Sequence, residues 1–158
     1  MNDRSPLPTI VLAAFLAGLL DIVAAIIVYS IFLDKTTALA ILQSVASGVF
    51  GRAAYEGGMK MAAYGLALHF IITIIFTSFY FFVYPRLELL RKERIFSGII
   101  YGIFVWLVMN LIVLPIALSG VFPASIASSL IGIAIVIIAV GIPTSLIAHF
   151  YFRRKSAY

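Results

Sequence analysis

The stretch Thr9–Leu33, TIVLAAFLAGLLDIVAAIIVYSIFL, decides the fold, because one charge, at Asp21, interrupts 25 otherwise uncharged residues. A helix rises 1.5 Å per residue, so about 20 apolar residues cross a hydrocarbon layer about 30 Å thick. A helix also satisfies its own backbone hydrogen bonds, which hydrocarbon demands of any spanning segment. Three more stretches have this character: Met61–Tyr84, Ile95–Leu118 and Ile126–Phe152. Apart from two histidines, Asp21 is the only acid or base in the four. The predicted fold is all-α: a polytopic membrane protein, one domain over residues 1–158, built as a four-transmembrane-helix bundle.

Composition points the same way. Hydrophobic residues make up 64% of the 158 and charged residues 11%, against roughly 45–50% and 25% in soluble domains. Mean hydropathy is +1.18. The net charge of +5 is gathered in short stretches between apolar runs, not along a basic stripe, so nucleic acid is not an expected partner and the lipid bilayer is. The absence of cysteine excludes disulfides, thiolate nucleophiles and cysteine-ligated metals. The first apolar run is too long for a signal-peptide core and is read as a retained helix.

Lysine and arginine set the expected direction. The N-terminal tail, the linker between the second and third spans and the C-terminal tail carry eight of them; the other two linkers carry three, Lys35, Arg52 and Lys60. The richer side is expected to be cytoplasmic, with both termini there, in a bacterial inner membrane. Tyr84, Tyr151 and Phe152 fall where an aromatic belt would sit. Pro115 and Pro143 lie inside spans three and four as expected kinks, freeing the carbonyls of Leu111 and Ala139.

The linker Asp34–Lys60 is too long to be a structureless loop in so small a chain. It reads as an outer-side helix over about 37–55, interfacial or re-entrant, capped by Thr36 or Thr37 and ended by Gly57-Gly58. Ser44, Ser47, Gly48, Gly51 and Tyr55 share one face. Small residues at i and i+4, Ser44/Gly48 and Ser47/Gly51, allow close backbone approach. That face either packs on the bundle, lines a polar vestibule with Gln43, or meets a second copy of the chain.

Asp21 near the middle of span one must be protonated, paired or wet, since a central charge costs about 2.5–3.5 kcal/mol. Counted from the inner ends, Asp21 lies roughly 18 Å deep, and His69 and Asn110 roughly 22 Å. The three are expected to form a buried polar layer, either a knot that fixes helix order or a working carboxylate–imidazole site. Tyr29, Ser30, Tyr64, Thr73 and Tyr101 are further candidates for it. His149 is placed at headgroup level. No spacing of metal ligands or haem histidines occurs, so no metal and no cofactor is expected. Weak matches at offsets of 80 and 81, such as Ser44–Ser47 with Gly51 against Ser125–Ser128 with Gly132, raise an internal duplication.

Gly18-Leu19-Leu20-Asp21, Gln43-Ser44-Val45-Ala46-Ser47-Gly48 through Gly51, Gly57-Gly58, Leu68-His69, Tyr101-Gly102 and Asn110 with Val113-Leu114-Pro115 give the chain a further likeness. Over most of its length it resembles a YagU-like family of small bacterial inner-membrane proteins of unknown function. The resemblance implies Asp21, Gln43, Ser44, His69 and Asn110 as matching positions, and no established activity. A histidine earlier in the last helix of some members is missing here, where Ala134–Val140 is wholly apolar. Three functions fit the sequence. One is a small transport or permeation module, expected as a homo-oligomer because four helices enclose little volume. The second is a structural or accessory subunit of a larger membrane complex. The third is an intramembrane lipid-modifying enzyme, for which no nucleophile or metal motif is found; no catalytic residue is assigned.

Overall fold

A computed structural model describes residues 5–117 and 125–156. Leu118, the expected end of the third span, lies outside the described residues. In chain order the helices are α1 (Leu7–Phe32), α2 (Ala38–Phe50), α3 (Gly58–Arg86), α4 (Glu88–Lys92), α5 (Arg94–Ile116) and α6 (Ile126–Arg154). The first, third, fifth and sixth are long and apolar enough to cross a membrane. No strand occurs among the described residues. Four antiparallel crossings bring Ser5 and Ser156 to one face of the bundle, here the termini face, and place α2 at the other.

Side chains are distributed the reverse of a soluble core. Ala13, Ala14, Ala17, Thr77, Ser97, Thr144, Ser145 and Ala148 are fully buried, while Ile75, Phe82, Ile126 and Ile138 are at least 60% exposed. Lipid is as apolar as leucine, so spans gain little by hiding large aliphatics from it; they gain by close backbone approach at small residues. The tightest approach between two spans joins α5 and α6. A Cβ added at Gly98 would lie 2.8 Å from Cα of Ile142, one at Gly102 would lie 2.6 Å from Cα of Ile137, and one at Gly141 would lie 2.2 Å from the carbonyl oxygen of Gly98. Gly98-x-x-x-Gly102 therefore forms a groove one helix turn long into which α6 sinks.

The prolines act through π-helical turns rather than plain kinks. Met109–Val113 and Ile137–Gly141 are π-helical, each ending two residues before Pro115 or Pro143. The amide of Leu114 donates to the Met109 carbonyl, and that of Ile142 to Ile137. The wider turn re-pairs the backbone just where proline supplies no donor, and it contains both carbonyls expected to be freed. A third π-helical segment, Ile26–Phe32, closes α1 without a proline.

The side chain of Thr37 caps α2, accepting from the amide of Ala40 at 3.1 Å. The expected stop at Gly57-Gly58 is corrected: the α-helix ends at Gly51, whose φ of +61° a side chain rarely tolerates, and a 3-10 turn over Gly51–Tyr55 follows. Gly57 and Gly58 instead open α3, three residues earlier than expected. Gln43, Ala46 and Ser47 face α3 and are buried; Nε2 of Gln43 donates to the Gly58 carbonyl at 3.1 Å. The small polar face thus divides. Gln43 and Ser47 seat the helix on α3, Gly51 terminates it, and Ser44 and Gly48 turn toward a cavity.

The repeat matches do not occupy equivalent places. Ser44–Gly51 lies in α2, whereas Ser125–Gly132 caps and begins a membrane span.

Candidate functional site

Asp21, His69 and Asn110 line one cavity of about 380 Å³. Its walls come from α1, α3, α5 and α6, and α2 roofs it with Ile41, Ser44, Val45, Gly48 and Val49. The lining is largely aliphatic, so its few polar groups stand out. A second cavity of about 290 Å³ runs between α1, α5 and α6, past Tyr29, Ser128 and Ser129. Asp21, Ala25, Trp106, Asn110 and Val136 border both cavities. Asp21 and Asn110 therefore line both the cavity and the more open cleft beside it.

His69 fixes the geometry around Asp21. Its Nε2 lies 2.9 Å from the Gly18 carbonyl and 4.0 Å from Oδ2 of Asp21. A carbonyl only accepts, so in that bond Nε2 carries the hydrogen. The same N–H needs only a small ring movement to turn from Gly18 to the carboxylate one turn further along α1. Gly18 is what lets α3 come this close: a Cβ there would meet the ring of Phe70 at 3.0 Å and Oγ1 of Thr73 at 3.2 Å. Both side chains are largely shielded, at 13% exposure for His69 and 22% for Asp21, and no Lys or Arg lines either cavity.

Asn110 sits in the π-helical turn of α5, and its Nδ2 donates to the Trp106 carbonyl at 3.0 Å. That bond holds the amide along its own helix, on the cavity wall. Trp106 lies across α6 at Gly132, where an added Cβ would come within 2.7 Å of the indole Nε1. Among the other candidates, Thr73 lines the first cavity and Tyr29 the second, with the Tyr29 hydroxyl donating to the Ser128 carbonyl at 3.4 Å. Tyr64 packs against Phe50 and is half exposed. Tyr101 belongs to a different layer.

That layer fills the half of the bundle nearer the termini face and was missed by the sequence reading. Tyr80 and Ser97 share a hydrogen bond of 2.5 Å, and Ser145 donates to the Arg94 carbonyl at 2.6 Å. The Tyr84 hydroxyl meets Nδ1 of His149 at 2.9 Å. Tyr84 is only 2% exposed, so its expected place in a surface belt is corrected: it is a core residue. His149 is half-buried and tied to α3 through it, not simply lodged among headgroups. The signal was present in the sequence as Thr73, Thr77, Tyr80 and Tyr84, four hydroxyls at helical spacing below His69.

No group of three or more potential metal-ligating residues lies together among the described residues. Comparison with protein families, with curated proteins and with solved structures found no match to this chain.

Proposed function

We propose that the protein is a small transport or permeation module of the bacterial cytoplasmic membrane, both termini cytoplasmic, in which the Asp21 carboxylate and His69 imidazole bind and release the proton that accompanies or constitutes the cargo. The observation that carries this reading is the position of Asp21 where a cavity and an adjoining open cleft meet. A carboxyl group that only fixed helix order would be closed off by partners on all sides; here its direct neighbour is one imidazole at 4.0 Å. Intramembrane acids next to a cavity mark ion and proton pathways across membrane proteins. An imidazole changes charge near neutral pH and so can exchange a proton with the acid. The cavities have room for several waters and suit a proton, a small ion or a small solute. The orientation follows from the eight-to-three excess of Lys and Arg on the termini side.

The test is proton uptake into proteoliposomes under an imposed potential, read by a trapped pH dye. Wild type is expected to exceed protein-free vesicles, and Asp21→Asn, which keeps the shape and removes the acid, to fall to the protein-free rate. Equal uptake by the two would refute the reading.

A further inference from the structure

We infer that a file of hydroxyl groups along the inward face of α3 carries protons between the Asp21–His69 pair and His149 at the termini face, an inference that rests on the proton-linked reading above and specifies its route to that face.

The file follows from spacing. His69, Thr73, Thr77, Tyr80 and Tyr84 are separated by four, four, three and four residues, which keeps them on one face of a helix. From His69 to Tyr84 this face covers about 22 Å at the helical rise. Thr73, Thr77, Tyr80 and Tyr84 are all buried, at 7%, 0%, 2% and 2% exposure. A span that faced lipid here would carry Leu or Ile; instead, four buried positions, with Phe81 beside them, offer a hydroxyl that both donates and accepts.

Both ends of the file are hydrogen-bonded. At the upper end Thr73 Oγ1 donates to the His69 carbonyl at 2.8 Å, and His69 lies beside Asp21. At the lower end Tyr80 pairs with Ser97, and Tyr84 pairs with His149. Arg94 and Arg153 are the charged groups acting on His149, and Arg91 acts on Tyr84; at the other end His69 is the titratable neighbour of Asp21.

The middle is different. The hydroxyls of Thr77, Tyr101 and Thr144 are buried and have no hydrogen-bond partner among the described residues. Tyr101 stands against Tyr80 with ring centroids 4.4 Å apart. An unpartnered buried hydroxyl costs about 1–3 kcal/mol, so a purely structural core has every reason to hold Val or Phe at these places. Unbonded, each hydroxyl keeps both its donor and its acceptor capacity uncommitted.

Transfer is balanced in atoms and charge. A proton taken up at His149 displaces the hydroxyl proton of Tyr84 up the file, each hydroxyl accepts one proton and gives up its own, and the last joins the Asp21 carboxylate as a neutral carboxylic acid. Rotation of the hydroxyls then resets the file.

The experiment compares wild type, Asp21→Asn and the double variant Thr77→Val with Tyr101→Phe in the same vesicle assay, with thermal unfolding in detergent measured alongside. Removing unpartnered hydroxyls is expected to leave the thermal midpoint unchanged or raise it while proton uptake falls to the protein-free rate. If the double variant takes up protons as fast as wild type while Asp21→Asn does not, the file is overturned and the Asp21 site stands. If wild type does not exceed protein-free vesicles, both are overturned. Should the double variant unfold early, Thr77→Val alone, which exchanges one hydroxyl of the file for a methyl group of similar size, decides by the same two outcomes.

Discussion

Gly141→Ala is expected to unseat α6 from α5 and to destabilise the bundle by about 3 kcal/mol or more, the upper range for inserting a methyl into a packed core. The added Cβ would stand 2.2 Å from the Gly98 carbonyl oxygen and 3.0 Å from both N and Cα of Gly102. All three are backbone atoms, so no side chain can rotate out of the way. Gly98 and Gly102 meet α6 backbone in return, and the helices can only separate. Separation removes the contact that replaces the hydrophobic effect between spans. Helix melting followed by circular dichroism in one detergent checks this, with Ile138→Ala as the control on a lipid-facing position that is 67% exposed. The control should melt near wild type; Gly141→Ala melting with it would contradict the packing.

Gly65→Val should produce an equally severe local clash with a different outcome. A Cβ at this position would lie 1.8 Å from the Leu42 carbonyl oxygen and 3.3 Å from the amide nitrogen of Ala46. The variant is expected to expel α2 from its seat while the four spans persist, because α2 packs on the first turns of α3 and takes no part in the α5–α6 crossing. Hydrogen exchange separates the cases. Amides of residues 40–50 should lose protection, and those of residues 97–106 should keep it. With α2 gone, Asp21 and His69 would lie under an open cavity. Unchanged protection in α2 would show that it is held by something other than contact at Gly65.

The spans were legible because hydrocarbon imposes a length and a composition together, and no other structure meets both. The adjacency of Asp21 and His69 was also legible, because polar side chains at one depth on neighbouring antiparallel helices have few places to go. What local sequence does not encode is which face of a helix meets which neighbour. Gly98, Gly102 and Gly141 look like any other glycines in a span until α5 and α6 are brought together. Tyr84 sits at a span end, where tyrosine usually anchors at the interface, and only its contact with His149 on α6 makes it a core residue. Gly57-Gly58 looked like a helix stop because paired glycines usually are one; the stop is Gly51, and the pair serves as the entry to α3. The π-helical turns before Pro115 and Pro143 likewise depend on how the neighbouring helices take up the extra residue.

The central claim is that Asp21 sits inside the bundle beside a chamber that water reaches, not against lipid or in a dry knot. The chain has no cysteine, so single cysteines report without background, and a thiol reacts with a water-soluble methanethiosulfonate only where water lets it ionise. Cysteine at position 21 or 110 is expected to be modified in intact proteoliposomes, while cysteine at the lipid-facing position 75 is not. An Asp21→Cys protein that retains its helicity yet reacts no faster than Ile75→Cys would contradict the account.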